Sequence, residues 1–307
     1  MKNGKQIKLL RYTQVKVLKV QLYMITEQLI WFIDSRFYYQ NTSLDKVVQL
    51  AQIHQKPVKI VIDASAQLTG RGYWHLLNNK DTLSQELLTT IKQKQQQLLK
   101  FFTMNAIKVE ITINQSTNYF AALNTEITST QNSVVIIEDN ISAKRHPIFQ
   151  QLTDINAPVL LLNKKAWKHP VNILAAVDPL HEHARPGKID DNIVLLAQHW
   201  SKKLTAKLTV AHCYYVASVL TKYKHKVLAM HNDGLDVFAK RLRLQNEQCI
   251  LLEGVPEEAL TEYIHQHHID VLAMGLVARN KLEQLWIGST TTALLSELPC
   301  DILLIKH

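Results

Sequence analysis

The sequence predicts an α/β protein built from two tandem, doubly wound parallel-sheet units. Short apolar runs rich in valine and isoleucine recur along the chain, and stretches of helical periodicity lie between most of them. Strands that alternate with helices form parallel sheets that are covered on both faces. The pattern also repeats, because the first aspartate after the opening strand is Asp34 in one half and Asp178 in the other, 144 residues later.

Ten of these apolar runs are predicted as strands, five in each half. Several are apolar at every position, which is typical of strands buried on both faces. We expect the two closing strands, the fifth and the tenth, to pair with each other, because an apolar edge strand invites aggregation if it is exposed. In chain order the predicted strands are Leu29–Ile33, Val58–Ile62, Val109–Ile113, Val134–Ile137, Val159–Leu162, Ile173–Val177, Leu208–His212, Cys249–Leu252, Ile269–Met274 and Ile302–Ile305.

Two polar stretches are predicted as helices with solvated outer faces. Residues 91–102 are rich in glutamine, but Ile91, Leu98 and Leu99 recur there at helical spacing. Residues 229–244 follow the same pattern, with cations at the outer positions. We therefore interpret both stretches as amphipathic helices and not as low-complexity segments.

The net charge of +9 is concentrated at the amino terminus. Residues 1–23 contain six lysines and arginines and no acid, which leaves +3 for the remainder. We interpret this segment as a disordered arm or as a misassigned start, because Met24 closely precedes the first strand; a functional basic tail is the alternative. The remaining charge gives no reason to expect specific binding of nucleic acid. The predicted domains are the arm, a degenerate first unit 24–166 and a second unit 167–307.

Composition also limits the class of protein. No apolar run approaches the roughly 18 residues that span a bilayer, so we expect no membrane-spanning segment. The three scattered cysteines, Cys213, Cys249 and Cys300, are too few for a disulfide framework, which favours a reducing, cytoplasmic setting. The densest histidine cluster, at 265–268, lies where a helix is predicted to end, so we expect no metal site.

One loop in the second unit has the features of an anion site. The ninth predicted strand leads into Gly275, and further along Gly288 precedes the hydroxyl residues Ser289 and Thr290 at the start of a helical pattern. Free backbone N–H groups at a helix start, the helix dipole and hydroxyl donors together favour an anion such as phosphate. Ligands of open parallel sheets bind beyond the carboxyl ends of strands, where this loop and Asp178 both fall.

The equivalent loop of the first unit lacks these features. The strand Val134–Ile137 is followed by Glu138 and Asp139, and no glycine occurs before the next predicted helix. Two carboxylates would repel a phosphate group at this position. We therefore expect the first unit to bind no nucleotide phosphate.

The loop of the second unit resembles that of the universal stress protein family, whose ATP-binding members carry Gly-x2-Gly-x9-Gly-(Ser/Thr). Gly275, Gly288 and Ser289 match this pattern at the right spacing, whereas Ala278 stands at the second glycine. If that position requires a positive φ, alanine costs about 1–2 kcal/mol there, which weakens a site with several donors without abolishing it. Two fused copies with one degenerate loop are similar to the tandem members of this family.

The resemblance implies a ligand and a set of contacts. Asp178 would approach the adenosine group, and the backbone at Cys213 would contact adenine. The remaining contacts, to the ribose and phosphates of ATP or AMP, would come from Gly275, Ala278, Gly288, Ser289 and Thr290.

Three functions are compatible with these residues. The first is a non-catalytic universal stress response protein that binds an adenine nucleotide or a similar small ligand in the second unit. The second is an interaction scaffold in which side chains fill both pockets. The third is a slow ATPase, for which Asp178 is the sole candidate for a catalytic carboxylate. Pairing of the closing strands would make the protein a monomeric pseudo-dimer or a dimer of such chains.

Overall fold

The structure is a computed structural model of the chain. The predicted arm 1–23 and the alternative start at Met24 lie outside the residues that it describes. The described residues are 28–36, 39–65, 80–116, 118–130, 132–139, 146–180, 188–276, 278–279, 286–287 and 289–306.

All ten predicted strands are present, together with two further short strands that pair as an antiparallel hairpin. The predicted strand Ile269–Met274 begins two residues later than expected, because the Asp270 carboxylate accepts the backbone N–H groups of Lys168 and Asn172 and so holds the preceding turn. The bounds are β1 Gln28–Asp34, β2 Val58–Asp63, β3 Val109–Asn114, β4 Ser133–Glu138, β5 Val159–Leu162, β6 Asn172–Val177, β7 Lys207–Tyr214, β8 Cys249–Glu253, β9 Val271–Gly275, β10 Ala278–Arg279, β11 Trp286–Ile287 and β12 Asp301–Ile305.

The ten longer strands form one continuous sheet in the order β3-β2-β1-β4-β5-β12-β9-β6-β7-β8. Strands β1–β5 form the first unit and β6–β12 the second. Within each unit the neighbouring strands of this sheet are parallel. The units meet at a seam where β5 pairs antiparallel with β12, with Val159 opposite Leu304 and Leu161 opposite Ile302. The expected pairing of the closing strands is therefore confirmed. Because the strands of the two units run in opposite directions, their carboxyl ends lie on opposite sides of the sheet, above it in one unit and below it in the other when the strands are drawn vertically.

Helices cover both faces of this sheet. Helices α1, α2, α4 and α5 pack on one face, and α3, α6 and α7 pack on the other. Among the described helices, none is long and apolar enough to cross a bilayer. The bounds are α1 Asn41–His54, α2 Lys80–Met104, α3 Tyr119–Thr128, α4 Ile189–Leu204, α5 Lys224–Leu242, α6 Pro256–His267 and α7 Ser289–Ser296.

The two polar stretches are helical, as predicted. Helix α2 buries Ile91 and Leu98 while most of its glutamines face solvent, and α5 buries Leu235 and Phe238. After β4, however, the described residues 146–158 form a 3-10 turn, Pro147–Gln150, where the first unit was expected to begin a helix. In the second unit, α7 lies at the corresponding place.

A buried ion pair crosses the seam between the units. Lys46, on α1 of the first unit, and Asp301, at the start of β12, approach to 2.8 Å, and their side chains are 1% and 0% exposed. The Asp301 carboxylate also accepts the indole N–H of Trp167 and the backbone N–H of Asn163, both at 2.7 Å. Burial raises the pKa of Asp301 to about 6, even though Lys46 opposes that shift. Every polar partner is thus supplied across the seam or by the segment that joins the units.

A second contact across the seam is made by histidines. The ring of His54, at the end of α1, lies 6.2 Å from the rings of both His199 and Trp200 on α4. Burial lowers the pKa of His54 to about 4, and the neighbouring His199 and Lys203 add to the shift. A proton on His54 therefore opposes the packing of α1 against α4.

Acidification should weaken the seam through His54. The unfolded chain takes up this proton at the ordinary pKa of 6.5, whereas the folded chain takes it up at about 4. The unfolded state binds more protons in between, so this group should lower the free energy of unfolding by about 2–3 kcal/mol as the pH falls through that window. Urea unfolding of wild type and of His54→Phe at several pH values isolates the effect as their difference. A difference that is independent of pH, or one matched by the exposed His225→Phe, would rule this account out.

Candidate functional site

The carboxyl edge of the second unit brings three predicted site residues together. Asp178 directly follows β6, Cys213 lies near the end of β7, and Gly275 is the last residue of β9. Because β6 lies between β7 and β9 in the sheet, Asp178 is flanked by the other two. The side chain of Asp178 is 24% exposed, so a ligand arriving from solvent can reach it.

A pair of histidines lies beneath Asp178. His212 Nδ1 is 3.1 Å from the carbonyl oxygen of Val177 and 3.9 Å from Asp178 Oδ1, and its Nε2 is 2.7 Å from His231 Nδ1. A carbonyl oxygen only accepts, so the proton of His212 lies on Nδ1, and Nε2 accepts the N–H of His231. The two rings are stacked, with centroids 4.9 Å apart. Sequence patterns gave these side chains no role, because β7 and α5 bring them together only in the fold.

The thiol of Cys213 is not suited to nucleophilic chemistry. Cys213 is half-buried, and burial together with the carboxylates of Asp178 and Glu257 raises the pKa of its thiol to about 12. A thiol with this pKa stays protonated at neutral pH and reacts slowly. The backbone contact to adenine that the resemblance implies for Cys213 remains a prediction.

The start of α7 is paired with an acid that the sequence did not single out. The hydroxyl of Thr290 donates to Glu257 Oε2 at 3.2 Å, and Glu257 lies in the first turn of α6. Glu257 and Asp178 therefore place two carboxylates near the predicted phosphate loop. Within the described part of the chain, no group of three or more His, Cys, Asp or Glu side chains could hold a metal ion.

Gly275 has a packing reason to be glycine. A Cβ atom at this position would lie 2.9 Å from Ile189 Cδ1 and 3.5 Å from Ile193 Cδ1, both on α4. A contact under 3 Å forces a neighbour to move, and the neighbour here is the end of the Ile189 side chain. The missing Cβ thus leaves room for Ile189, so the presence of Gly275 alone is not evidence for a phosphate.

The conditional cost of alanine at position 278 does not apply in this structure. Ala278 lies in the extended strand β10, where it pairs with Ile287, so alanine carries no backbone strain there. Ser289 is the first residue of α7. Gly288 lies outside the described residues, and its predicted role stays a prediction.

At the corresponding edge of the first unit, the aspartates are bound by neighbouring side chains. Asp34, the counterpart of Asp178, binds Arg36 through both oxygens at 2.6–3.1 Å. One strand away, the fully buried Asp63 accepts Ser65 Oγ and Asn114 Nδ2, both at 2.7 Å, and lies 2.9 Å from His146 Nε2. This cluster lies at the carboxyl ends of β2 and β3.

The two acids at the end of β4, Glu138 and Asp139, differ from the two full negative charges that the sequence suggested. Asp139 is only 2% exposed. Burial raises the pKa of Glu138 to about 7, although its carboxylate accepts the backbone N–H of Gln40 at 3.2 Å. Near neutral pH, Glu138 is therefore only partly ionised, and it repels a phosphate less than the sequence suggested. Charge repulsion at Glu138 is therefore a weaker reason than expected for the first unit to bind no nucleotide phosphate, which stays a prediction.

Residues 172–306, which span the whole second unit up to the end of β12, match the sequence profile described as the universal stress protein family. The second unit is therefore similar to this family. The resemblance drawn from the loop is thereby confirmed at the level of the family.

Similarity to universal stress proteins extends over most of the chain. A relative described as universal stress protein E homolog, from Haemophilus influenzae, is 21% identical over 285 residues, which cover 86% of this chain and 92% of the relative. A putative universal stress protein from Pseudomonas aeruginosa aligns with a TM-score of 0.66 at 16% identity, over 92% of this chain and 94% of that one. A universal stress protein from Archaeoglobus fulgidus gives 0.61 at 12% identity, over 90% and 98%. These structures support the tandem α/β fold, and at such identities they support nothing finer.

Proposed function

We propose that this universal stress protein is a non-catalytic stress response protein that binds an adenine nucleotide, ATP or AMP, in its second unit. The observation that carries the proposal is the difference between the two sheet edges. At the carboxyl ends of the first-unit strands, the carboxylates of Asp34 and Asp63 are bound by neighbouring side chains. Beyond the second-unit strands lie the accessible Asp178 and a helix start bearing Ser289 and Thr290, which offers hydroxyl and backbone donors to phosphate.

The proposal also covers the cellular location and the oligomeric state of the protein. A cytoplasmic location is consistent with three cysteines that are all free thiols. A chain whose two closing strands cover each other can act as a monomeric pseudo-dimer or as a dimer of such chains. Neither a metal nor a specific nucleic acid is part of the proposal.

Two observations favour the interaction scaffold as a second candidate. The hydroxyl of Thr290 is already engaged by Glu257, and Gly275 is explained by the packing of α4. A carboxylate so close to the helix start also opposes a phosphate unless a cation accompanies it. No comparable observation favours the ATPase, for which the described residues near the loop supply the carboxylates of Asp178 and Glu257.

Calorimetric titration of the full chain with ATP and with AMP tests the proposal. We expect binding with a Kd below 1 mM, since a site with several backbone and hydroxyl donors reaches this affinity readily. Gly288→Asp should remove binding, because it places a carboxylate where the backbone must approach the phosphates. Ala278→Gly should change the affinity little, because Ala278 is in an extended strand where alanine carries no backbone cost.

Controls separate loss of the site from loss of the fold. A charge reversal in the first unit, Arg145→Glu, should leave nucleotide affinity unchanged, and each variant should keep its wild-type melting temperature. If wild type binds neither nucleotide at millimolar concentration, the scaffold replaces the nucleotide proposal. Release of phosphate from ATP in the same samples, lost in Asp178→Asn, would instead favour the ATPase.

A further inference from the structure

Large apolar side chains project outward from one helical segment of the second unit. The 3-10 helix Ser218–Tyr223 runs directly into α5, and along this segment Val219, Met230 and Val237 are 81%, 53% and 68% exposed. Helix α5 already buries Leu235 and Phe238 against the sheet. The outward residues therefore contribute nothing to the core that the described residues form.

These residues lie on one face of the segment together with cations. The set recurs at intervals of three, four or seven residues, which places its members in a line along a helix. We call it the outer stripe. At about 1.5 Å per residue, it is about 30 Å long. It comprises Val219, Tyr223, Lys226, Met230, Val237 and Arg241.

The charge around the outer stripe is positive. Residues 218–243 contain six lysines and arginines and two aspartates, and two of these cations pair with acids outside the segment, Lys224 with Glu253 and Arg241 with Asp191. Lys222 and Lys226 lie over the ring of Tyr223, with their Nζ atoms 4.9 and 6.0 Å from its centroid. An aromatic ring flanked by lysines and followed by aliphatic residues is the composition of helices that lie at the headgroup level of a bilayer.

We propose that the outer stripe docks the protein reversibly onto an anionic lipid membrane surface. The lysines would contact lipid phosphates, while Val219, Met230 and Val237 would enter the boundary between headgroups and acyl chains. Charge argues against a second copy of the chain as the occupant, since two such stripes would bring like charges together. The length of the stripe favours an extended surface over a small ligand. This inference concerns a surface distinct from the nucleotide loop and does not depend on nucleotide binding.

Sedimentation of the full chain with lipid vesicles tests the proposal. The protein should bind vesicles that contain phosphatidylglycerol, bind less as salt is added, and fail to bind vesicles of phosphatidylcholine alone. Lys222→Glu with Lys226→Glu should lower the partition coefficient at least about tenfold, because each lost lysine removes an attraction and each glutamate adds a repulsion. Met230→Ser with Val237→Ser should lower it several-fold, with an unchanged melting temperature.

Matched variants on the first unit provide the control. Helix α2 also exposes Met104, at 77%, and the lysines Lys92 and Lys100. Met104→Ser, and Lys92→Glu with Lys100→Glu, make the same chemical changes away from the outer stripe and should alter the partition coefficient less than about twofold. Absence of binding to anionic vesicles, or equal loss in the α2 variants, would overturn the proposal. It would equally be overturned if the stripe variants abolished a homodimer or an acidic protein complex in the absence of vesicle binding.

Discussion

Replacement of Lys46 by methionine should lower the free energy of unfolding by about 3–5 kcal/mol, because it leaves the Asp301 carboxylate buried in the seam without its cation. The remaining donors, the Trp167 indole and the Asn163 amide, cannot neutralise the charge. Equilibrium unfolding in urea at neutral pH, followed by circular dichroism, measures the loss.

Two further variants show whether the loss arises from the unpaired charge. Lys46→Met combined with Asp301→Leu should recover a large part of the stability, since removing both partners removes the buried charge. Lys59 pairs with Glu126 at 2.9 Å nearer the surface, with side chains 18% and 21% exposed, so Lys59→Met should cost no more than about 1 kcal/mol. Equal losses in the Lys46 and Lys59 variants would contradict the assignment of the seam pair as a buried ion pair.

Replacement of Asp63 by alanine should destabilise the protein by about 3–4 kcal/mol, because three buried donors lose their shared acceptor. His146 Nδ1 accepts the backbone N–H of Ile148 at 3.1 Å, so its proton lies on Nε2 and is donated to Asp63. Ser65 and Asn114 donate to the same carboxylate. The asparagine variant keeps the volume but offers a weaker acceptor, so its loss should be intermediate.

The pH dependence of stability distinguishes the contribution of the charged Asp63 carboxylate from that of packing. Burial alone would raise the pKa of Asp63, but the hydrogen bonds from His146, Ser65 and Asn114 hold it below its usual 3.8. Asp63 is therefore protonated at a lower pH in the folded state than in the unfolded state. Its contribution to stability is complete above the usual pKa and is lost as the pH falls through the lower pKa of the folded state. In urea unfolding, the free energies of unfolding of wild type and Asp63→Asn should become more similar as the pH is lowered. Asp34→Ala, which frees only Arg36 near the surface, serves as the comparison and should cost about 1 kcal/mol.

The sheet could be predicted from the sequence because each strand is a local pattern. A run such as Val134–Ile137 specifies its own burial on both faces, and the repeat of the pattern then predicts the pairing of β5 with β12. The ion pair between Lys46 and Asp301 could not be predicted in this way. Its partners are 255 residues apart, and each looks like an ordinary surface charge until the fold buries it.

The candidate site was predictable in position but not in detail. Asp178 and the start of α7 lie at a strand end and a helix start, as local patterns require. A side chain at position 275 would point toward Ile189, and the spacing of residues along the sequence does not show this contact. The conformation of Ala278 depends on pairing with Ile287 across the loop, and Glu257 reaches the site from another helix.

The antiparallel seam determines which substitutions each unit can accept. Because both seam strands belong to one polypeptide, dilution cannot separate them, and the local concentration of β5 around β12 stays fixed by the chain. The first unit therefore remains necessary for covering β12 even when its own edge holds no ligand. Substitutions at the carboxyl edge of the first unit, where the Asp63 cluster lies, leave the covering of β12 intact. Substitutions in Val159–Leu162 affect both units at once.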